Sequence, residues 1–145
     1  MSYVKVVSRR LQLSTRGERD SLDIRDITGD VAEAVRASGT RDGIVNVFAV
    51  GSTAALTTIE FEEGLKKDLK AMLERVAPRG VPYAHDEAWR DGNGHSHLRA
   101  SLLGPSITIP FNDRRLALGV WQQLVFVELD IRSREREVVV QIIGE

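Results

Sequence analysis

The sequence lacks cysteine and has no long apolar run. Without cysteine there are no disulfides and no thiolate metal ligands, so a bound metal would be held by histidine, carboxylate or water. The longest apolar runs, such as 124–127 and 138–140, are far too short to span a bilayer. The first ten residues contain no apolar core of the length that a secretory signal needs. We therefore expect a cytoplasmic protein with no membrane partner.

An excess of charge of either sign is also absent, because the formal net charge is −1. Nucleic acids and anionic membranes favour a concentrated basic patch, so no nucleic-acid partner is expected. The apolar fraction of 42% and the charged fraction of 28% are ordinary for a globular protein. A chain of 145 residues is long enough for a core and fits one domain, which we expect to cover residues 1–145.

Strands dominate the predicted secondary structure. Apolar alternation or short apolar runs indicate strands at residues 4–13, 21–24, 43–50, 54–61, 106–111, 120–129 and 134–143. The segment 43–50 is apolar on both faces apart from Asn46, which predicts a central buried strand. Because 54–61 follows it closely, the two strands are a candidate hairpin.

Two segments have helical periodicity. The first covers 29–37, with Thr28 as its N-cap and Gly39 as its stop, and the second covers 62–77, ended by Pro78 and Gly80. Strands and helices do not alternate regularly along the chain. We therefore expect a single α+β domain with mixed or antiparallel sheets and a few helices, rather than a doubly wound sheet.

All three histidines of the chain fall within residues 83–98, YAHDEAWRDGNGHSHL. Carboxylates lie among them, and the run Asp91-Gly92-Asn93-Gly94 is typical of a turn, so we interpret the segment as a loop. If 95–97 is extended, the side chains of His95 and His97 point the same way. His85 could then supply a third imidazole to one metal ion, with Asp86 as a fourth ligand or orienting group. The alternative is a solvated loop whose histidines only make hydrogen bonds.

Two further groups of residues are candidates for the chemistry. Glu60 and Glu62 lie two apart before the second helix, where one could serve as a general base. Carboxylates at this place also stabilise a helix N-terminus, which is the interpretation we favour for Glu63. Ser52 and Thr53 follow Gly51 at a strand end and could hold an oxyanion, although small residues at strand ends are usually only turns.

Short motifs follow one another in a recognisable order along the chain. They are G-S-T-A-A at 51–55, Glu60, Y-x-H-D at 83–86, N-x-x-S-H-L at 93–98, Leu103-Gly104, Ile109-Pro110, L-G-x-W-Q at 118–122 and Arg136. This order resembles the YjbQ-like family, whose members are described as secondary thiamine-phosphate synthases. The resemblance covers nearly the whole chain and is densest over 45–145.

The resemblance implies a YjbQ-like α+β fold, a homotrimer and a histidine-lined pocket that can hold a metal. His85 and His97 match the family's histidines, and Asp86 and Asn93 match neighbouring polar positions. Many members carry a histidine where this chain has Gly51. In our interpretation, His95 could replace that missing ligand.

From these features we expect a metal-assisted enzyme acting on a small phosphorylated metabolite. The version implied by the family joins a pyrimidine pyrophosphate to a thiazole phosphate and forms thiamine phosphate. We expect His85, His95 and His97 to hold a divalent ion, zinc. Ser52, Thr53 and Asn93 are expected to bind the substrate. Glu60 or Asp86 is expected to transfer a proton. The alternative is a non-enzymatic trimeric protein that binds a metal or another ligand.

Overall fold

The computed structural model describes residues 3–145, which form eight strands and four helices. The strands are β1 (Lys5–Thr15), β2 (Asp23–Asp26), β3 (Gly43–Val50), β4 (Ala54–Ile59), β5 (Ser106–Asn112), β6 (Arg115–Leu116), β7 (Gln123–Glu128) and β8 (Arg134–Gly144). The helices are α1 (Thr28–Ala37), α2 (Glu63–Val76), α3 (Ala84–Trp89) and α4 (Gly94–Leu103).

The strands form two antiparallel sheets. The larger sheet has the order β1-β8-β3-β5-β6, and the smaller has the order β2-β7-β4. Antiparallel sheets combined with four helices confirm the predicted α+β class.

The two sheets pack face to face around the main core, with α1 closing it. Successive side chains of β7 point to opposite faces of the smaller sheet. Leu124 and Phe126 pack between the two sheets, whereas Val125 and Val127 point to the other face. That opposite face of the smaller sheet is covered by Leu69 and other apolar residues of α2 and α4. The apolar run of β7 is therefore explained by burial on both sides.

Two expectations about β3 are wrong. Its inner residues, including Val45 and Val47, are fully buried, but Ile44, Phe48 and Val50 are exposed on the outer face of the larger sheet. The strand is therefore apolar on both faces but buried on only one. The hairpin with 54–61 does not form either, because β3 and β4 belong to different sheets. The bend at residues 51–53 carries the chain from one sheet to the other.

Helices α1 and α2 lie where the periodicity predicted them. Thr28 is not the N-cap of α1, since it lies inside the helix, and its hydroxyl accepts a hydrogen bond from the backbone N–H of Leu124. The N-cap of α2 is Glu62, whose carboxylate accepts hydrogen bonds from the N–H groups of Gly64 and Leu65. Within residues 3–145, no helix has the length and apolar character needed to cross a membrane.

The segment 83–98 is helical, which corrects the prediction of a loop. Only residues 90–93 form a turn between α3 and α4. Arg90 ends α3 in a left-handed conformation with φ of 57°, and Gly92 has φ of 70°. The turn chemistry of Asp91 and Gly92 was recognised correctly, but the residues that follow it, from His95 to Leu103, continue as a helix.

Candidate functional site

A pocket of about 450 Å³ opens where α3 and α4 meet the ends of both sheets. We call it the histidine–arginine pocket. It is lined by residues from three separate parts of the chain: Gly51, Ser52, Thr53, His85, Trp89, Asp91, Asn93, His97, Asp130, Arg134 and Arg136. This volume is in the range of pockets that hold small metabolites.

His85 and His97 form the histidine wall of this pocket. His85 lies in the first turn of α3 and His97 in the first turn of α4, and their ring centroids are 4.4 Å apart. Burial lowers the pKa of His97 below its usual value, and the neighbouring His85 lowers it further. A neutral imidazole at position 97 can bind a metal ion or accept a proton.

His95 does not join this pair, so the predicted set of three imidazoles is not assembled. Residues two apart on an α-helix point in widely different directions, because each residue turns the helix by about 100°. The His95 ring is 1% exposed, and its Nε2 lies 3.3 Å from a carboxylate oxygen of Glu18. The same carboxylate accepts a hydrogen bond from the buried Arg99. His95 therefore belongs to a buried ionic cluster.

Three pocket atoms that are Lewis bases have no hydrogen-bond partner in the described chain. They are Nε2 of His85, Oδ1 of Asp91 and Oδ1 of Asn93. The distance from Nε2 of His85 to Oδ1 of Asp91 is 3.6 Å, which is too long for a hydrogen bond. Asn93 is only 4% exposed, so its carbonyl oxygen lacks both protein and bulk-solvent partners. Buried polar atoms of this kind indicate a site for a cation or a ligand donor.

Another part of the lining, which we call the arginine wall, contains Arg134 and Arg136, each held by a buried carboxylate. Arg136 makes two charge-assisted hydrogen bonds to Glu128, of 2.7 and 2.6 Å. Arg134 binds Asp130 at 2.8 Å. Although burial favours the protonated form, hydrogen bonds from Thr53 and Arg134 lower the pKa of Asp130 below its usual value. Both arginines are therefore held in place by buried carboxylates.

The predicted substrate-binding residues all line this pocket, but they differ in what they offer. Ser52 is exposed and its hydroxyl has no hydrogen bond within residues 3–145. The hydroxyl of Thr53 donates to Asp130 and accepts from Arg136. Since it is already engaged, Thr53 serves to position Asp130 and Arg136.

The two predicted proton-transfer residues, Glu60 and Asp86, do not line this pocket. Glu60 is exposed in another part of the surface, near Trp121. The carboxylate of Asp86 accepts a 3.0 Å hydrogen bond from the N–H of Gly94 and so ties α3 to the start of α4. The carboxylates that face the pocket are Asp91 and Asp130.

The pocket contains fewer preorganised metal ligands than the sequence predicted. Within residues 3–145, no three His, Asp or Glu side chains are arranged so that they could hold a metal ion. His85 and His97 remain as a pair, with the unpartnered oxygens of Asp91 and Asn93 in the same pocket. Nitrogen and oxygen donors of this kind fit a divalent ion that completes its coordination with water or substrate.

Reasoning from the sequence included Arg136 among the family motifs without assigning it a role, and it missed Arg134 and the carboxylates of Glu128 and Asp130. Asp130, Arg134 and Arg136 lie more than thirty residues beyond His97. Asp130 reaches the pocket because β7 pairs with β4, and the two arginines reach it because β8 pairs with β3. One available signal was the abrupt change from the apolar run 124–127 to a highly charged segment. Nothing in local spacing connects that segment with the histidines.

Together, these features define an α+β protein with two packed antiparallel sheets and a polar pocket at one end. The family model for the YjbQ-like UPF0047 proteins matches residues 9–145. A UPF0047 protein of Methanothermobacter thermautotrophicus is 38% identical over 143 residues, which cover 99% of this chain and 96% of the relative. One of Archaeoglobus fulgidus is 40% identical over 120 residues, covering 83% and 90%.

The solved structures agree with this assignment. A crystal structure of a YbjQ-like protein of unknown function from Sulfolobus solfataricus matches with a TM-score of 0.89 and 34% identity, covering 99% of this chain and 100% of the other. A hypothetical protein from Aeropyrum pernix matches with a TM-score of 0.82 and 34% identity, covering 94% and 99%. The chain therefore belongs to the YjbQ-like UPF0047 family.

Proposed function

We propose that this protein is a metal-assisted enzyme that acts on a small phosphorylated metabolite in the histidine–arginine pocket. The observation that carries the proposal is the meeting of two histidines and two arginines, from distant parts of the chain, around one cavity of about 450 Å³. Such a convergence of ionisable groups is typical of catalytic sites. We keep the cytoplasmic placement predicted from the sequence as part of this proposal.

His85 and His97 are the proposed protein ligands of a divalent ion, zinc in our proposal. The unpartnered carbonyl oxygen of Asn93 would support them, because it lacks a donor in the described chain. His95 is no longer part of the proposed ligand set, since its ring faces Glu18. When bound, the ion supplies a Lewis acid for a phosphate oxygen.

Substrate binding and proton transfer are assigned to side chains of the pocket. The hydroxyl of Ser52 and the guanidinium groups of the arginine wall bind the anionic end of the substrate. His97, with its lowered pKa, is neutral near pH 7 and accepts a proton when it is not bound to metal. Asp91 replaces Glu60 and Asp86 as the proposed carboxylate for proton transfer, because it faces the pocket.

The form of this activity suggested by the family resemblance is the joining of a pyrimidine pyrophosphate to a thiazole phosphate, in which the thiazole nitrogen bonds to the carbon that releases pyrophosphate. Incubation of the purified protein with both compounds and zinc should then yield thiamine phosphate, detected by chromatography. His97→Ala should lose both zinc binding and turnover, whereas Ser101→Ala, on the exposed side of the same helix, should retain them. Retention of both properties in His97→Ala would rule out this scheme.

We also propose that the protein is a homotrimer. Support comes from the outer face of the larger sheet, where Val6, Ile143 and Ile44 lie side by side on three neighbouring strands. Phe48 and Val50 extend the same exposed apolar face. Contiguous apolar surface of this kind usually marks a protein–protein contact.

The alternative is a trimeric protein that binds a metal or an anion without catalysis. The arginine wall favours the anion-binding form of this alternative, because it needs no metal to contact an anion. A closed coordination shell without exchangeable water would support a structural ion, whereas an open position would support catalysis. X-ray absorption spectroscopy on the zinc-loaded protein distinguishes the two, because it counts the oxygen and nitrogen ligands.

A further inference from the structure

Arg136 has one guanidinium nitrogen that no protein group uses. Its Nε and Nη2 bind Glu128, and Nη2 also donates to Thr53. Within residues 3–145, Nη1 has no hydrogen-bond partner, although the residue is only 7% exposed. A buried, firmly held arginine with a free N–H edge is suited to binding an anion.

The free nitrogen faces the space that a side chain at residue 51 would occupy. A Cβ built on Gly51 would lie 2.7 Å from Nη1 of Arg136, and Gly51 lines the same pocket. An arginine tip normally moves away from such a contact. Here movement would break the bonds to Glu128 and Thr53, both of which are buried.

We propose that Gly51 and Arg136 form a phosphoryl-binding subsite, in which Nη1 binds a phosphoryl oxygen because residue 51 has no side chain. This inference rests on the proposed function, since it assigns the phosphorylated end of the substrate to one wall of the same pocket. Gly51 is thus a specificity-determining residue. It keeps open the place through which the anion reaches Arg136.

The subsite binds the phosphoryl group through oriented N–H donors rather than through an excess of positive charge. The charges of Arg134 and Arg136 are matched by Asp130 and Glu128, and Asp91 adds a further carboxylate. The N–H groups of Arg136 are already oriented, so binding a phosphoryl oxygen requires little further ordering. A cation on the histidine wall would strengthen the same contact.

The test uses Trp89, which lines the pocket and is exposed, as a fluorescent reporter. The chain has two tryptophans, so Trp121→Phe leaves Trp89 as the single reporter. Pyrophosphate is titrated into the full-length protein in EDTA, which removes metals. The parent should show saturable quenching, and Gly51→Ala should weaken pyrophosphate binding about tenfold or more, the scale of one lost charge-assisted hydrogen bond.

The matched control is Gly80→Ala. Gly80 has a positive φ of 84°, against 141° at Gly51, and a Cβ there meets nothing within 4 Å, so this variant strains the backbone without a contact to Arg136. Gly80→Ala should bind pyrophosphate like the parent. Arg136→Lys should also lose binding, and circular dichroism shows whether that variant is folded. If Arg136→Lys is unfolded, the comparison of Gly51→Ala with the parent still tests the subsite.

Three outcomes would overturn the subsite: no quenching in the parent, equal affinity in Gly51→Ala and the parent, or equal affinity of acetate and pyrophosphate. The titration in EDTA separates this inference from the proposed enzyme, because pyrophosphate binding by Arg136 needs neither metal nor turnover. Pyrophosphate binding without zinc binding would retain the subsite and reject the metal-assisted scheme.

Discussion

Glu18 shows how one residue outside the pocket fixes its geometry. Its carboxylate contacts His95 and Arg99 on α4, and its backbone N–H donates to the carbonyl of Asp130 at 2.7 Å. Burial alone would raise the pKa of Glu18, but the hydrogen bond to His95 and the charge of Arg99 hold it at about 2. Glu18 therefore connects α4 to the loop that carries Asp130.

Replacing Glu18 by Gln should destabilise the protein in a pH-dependent way. The folded pKa lies about 2.5 below the ordinary value of 4.5, so ionised Glu18 contributes roughly 3 kcal/mol above pH 4.5, and this contribution disappears as the pH falls to 2. Urea unfolding at a fixed protein concentration measures the difference between Glu18→Gln and the parent. A difference that is the same at pH 7 and pH 3 would contradict this assignment.

His97 should titrate below its usual pKa of 6.5 in the metal-free protein. The folded state then binds the proton less tightly than the unfolded state, so stability is full above pH 6.5 and is lost as the pH falls through the interval down to the folded pKa. Nitrogen-15 NMR of the imidazole follows the titration directly, and His97→Gln removes this part of the pH dependence. A pKa above 6.5 would refute the neutral assignment.

At the scale of elements, α4 carries two different sets of groups on its two faces. One face places His97 in the pocket, and the other places His95 and Arg99 against Glu18. The histidine cluster was visible in the sequence, and two of its three members, His85 and His97, line the pocket. The assumption that 95–97 is extended led to the wrong ligand set, because the polarity and glycines of the segment concealed a short helix.

Ser96 tests the packing of α4. Its hydroxyl is fully buried and has no hydrogen-bond partner in the described chain. Ser96→Ala removes an unsatisfied polar group and should leave the free energy of unfolding unchanged or raise it by up to about 1 kcal/mol. The control is Ser101→Ala, which is exposed and loses only a bond to the carbonyl of His97. A clear loss of stability in Ser96→Ala alone would show that its hydroxyl has a partner in solution.

At the scale of the whole molecule, strands and long helices were predictable because their apolar patterns are local. The distribution of the strands between the two sheets was not predictable, since β1, β3 and β8 are distant in sequence but adjacent in the larger sheet. The arginine wall depends on this pairing. The position of Asp130, Arg134 and Arg136 beside the histidines therefore could not be derived from motif spacing.

The outer face of the larger sheet should mediate assembly. Phe48→Lys places a charge on this face and should lower the sedimentation coefficient from that of a trimer towards that of a monomer. Met72→Lys is the matched control, because Met72 is 39% exposed and Phe48 is 41% exposed. A trimer that persists in Phe48→Lys, or a monomeric parent, would contradict this interface.

The most direct test of the proposed function is the zinc content per chain after dialysis, measured by plasma mass spectrometry. The parent and His95→Gln should retain near-stoichiometric zinc, because the ring of His95 faces Glu18 instead of the pocket. His97→Ala should retain none. Zinc retained in His97→Ala, or no zinc in the parent, would contradict the metal-assisted account.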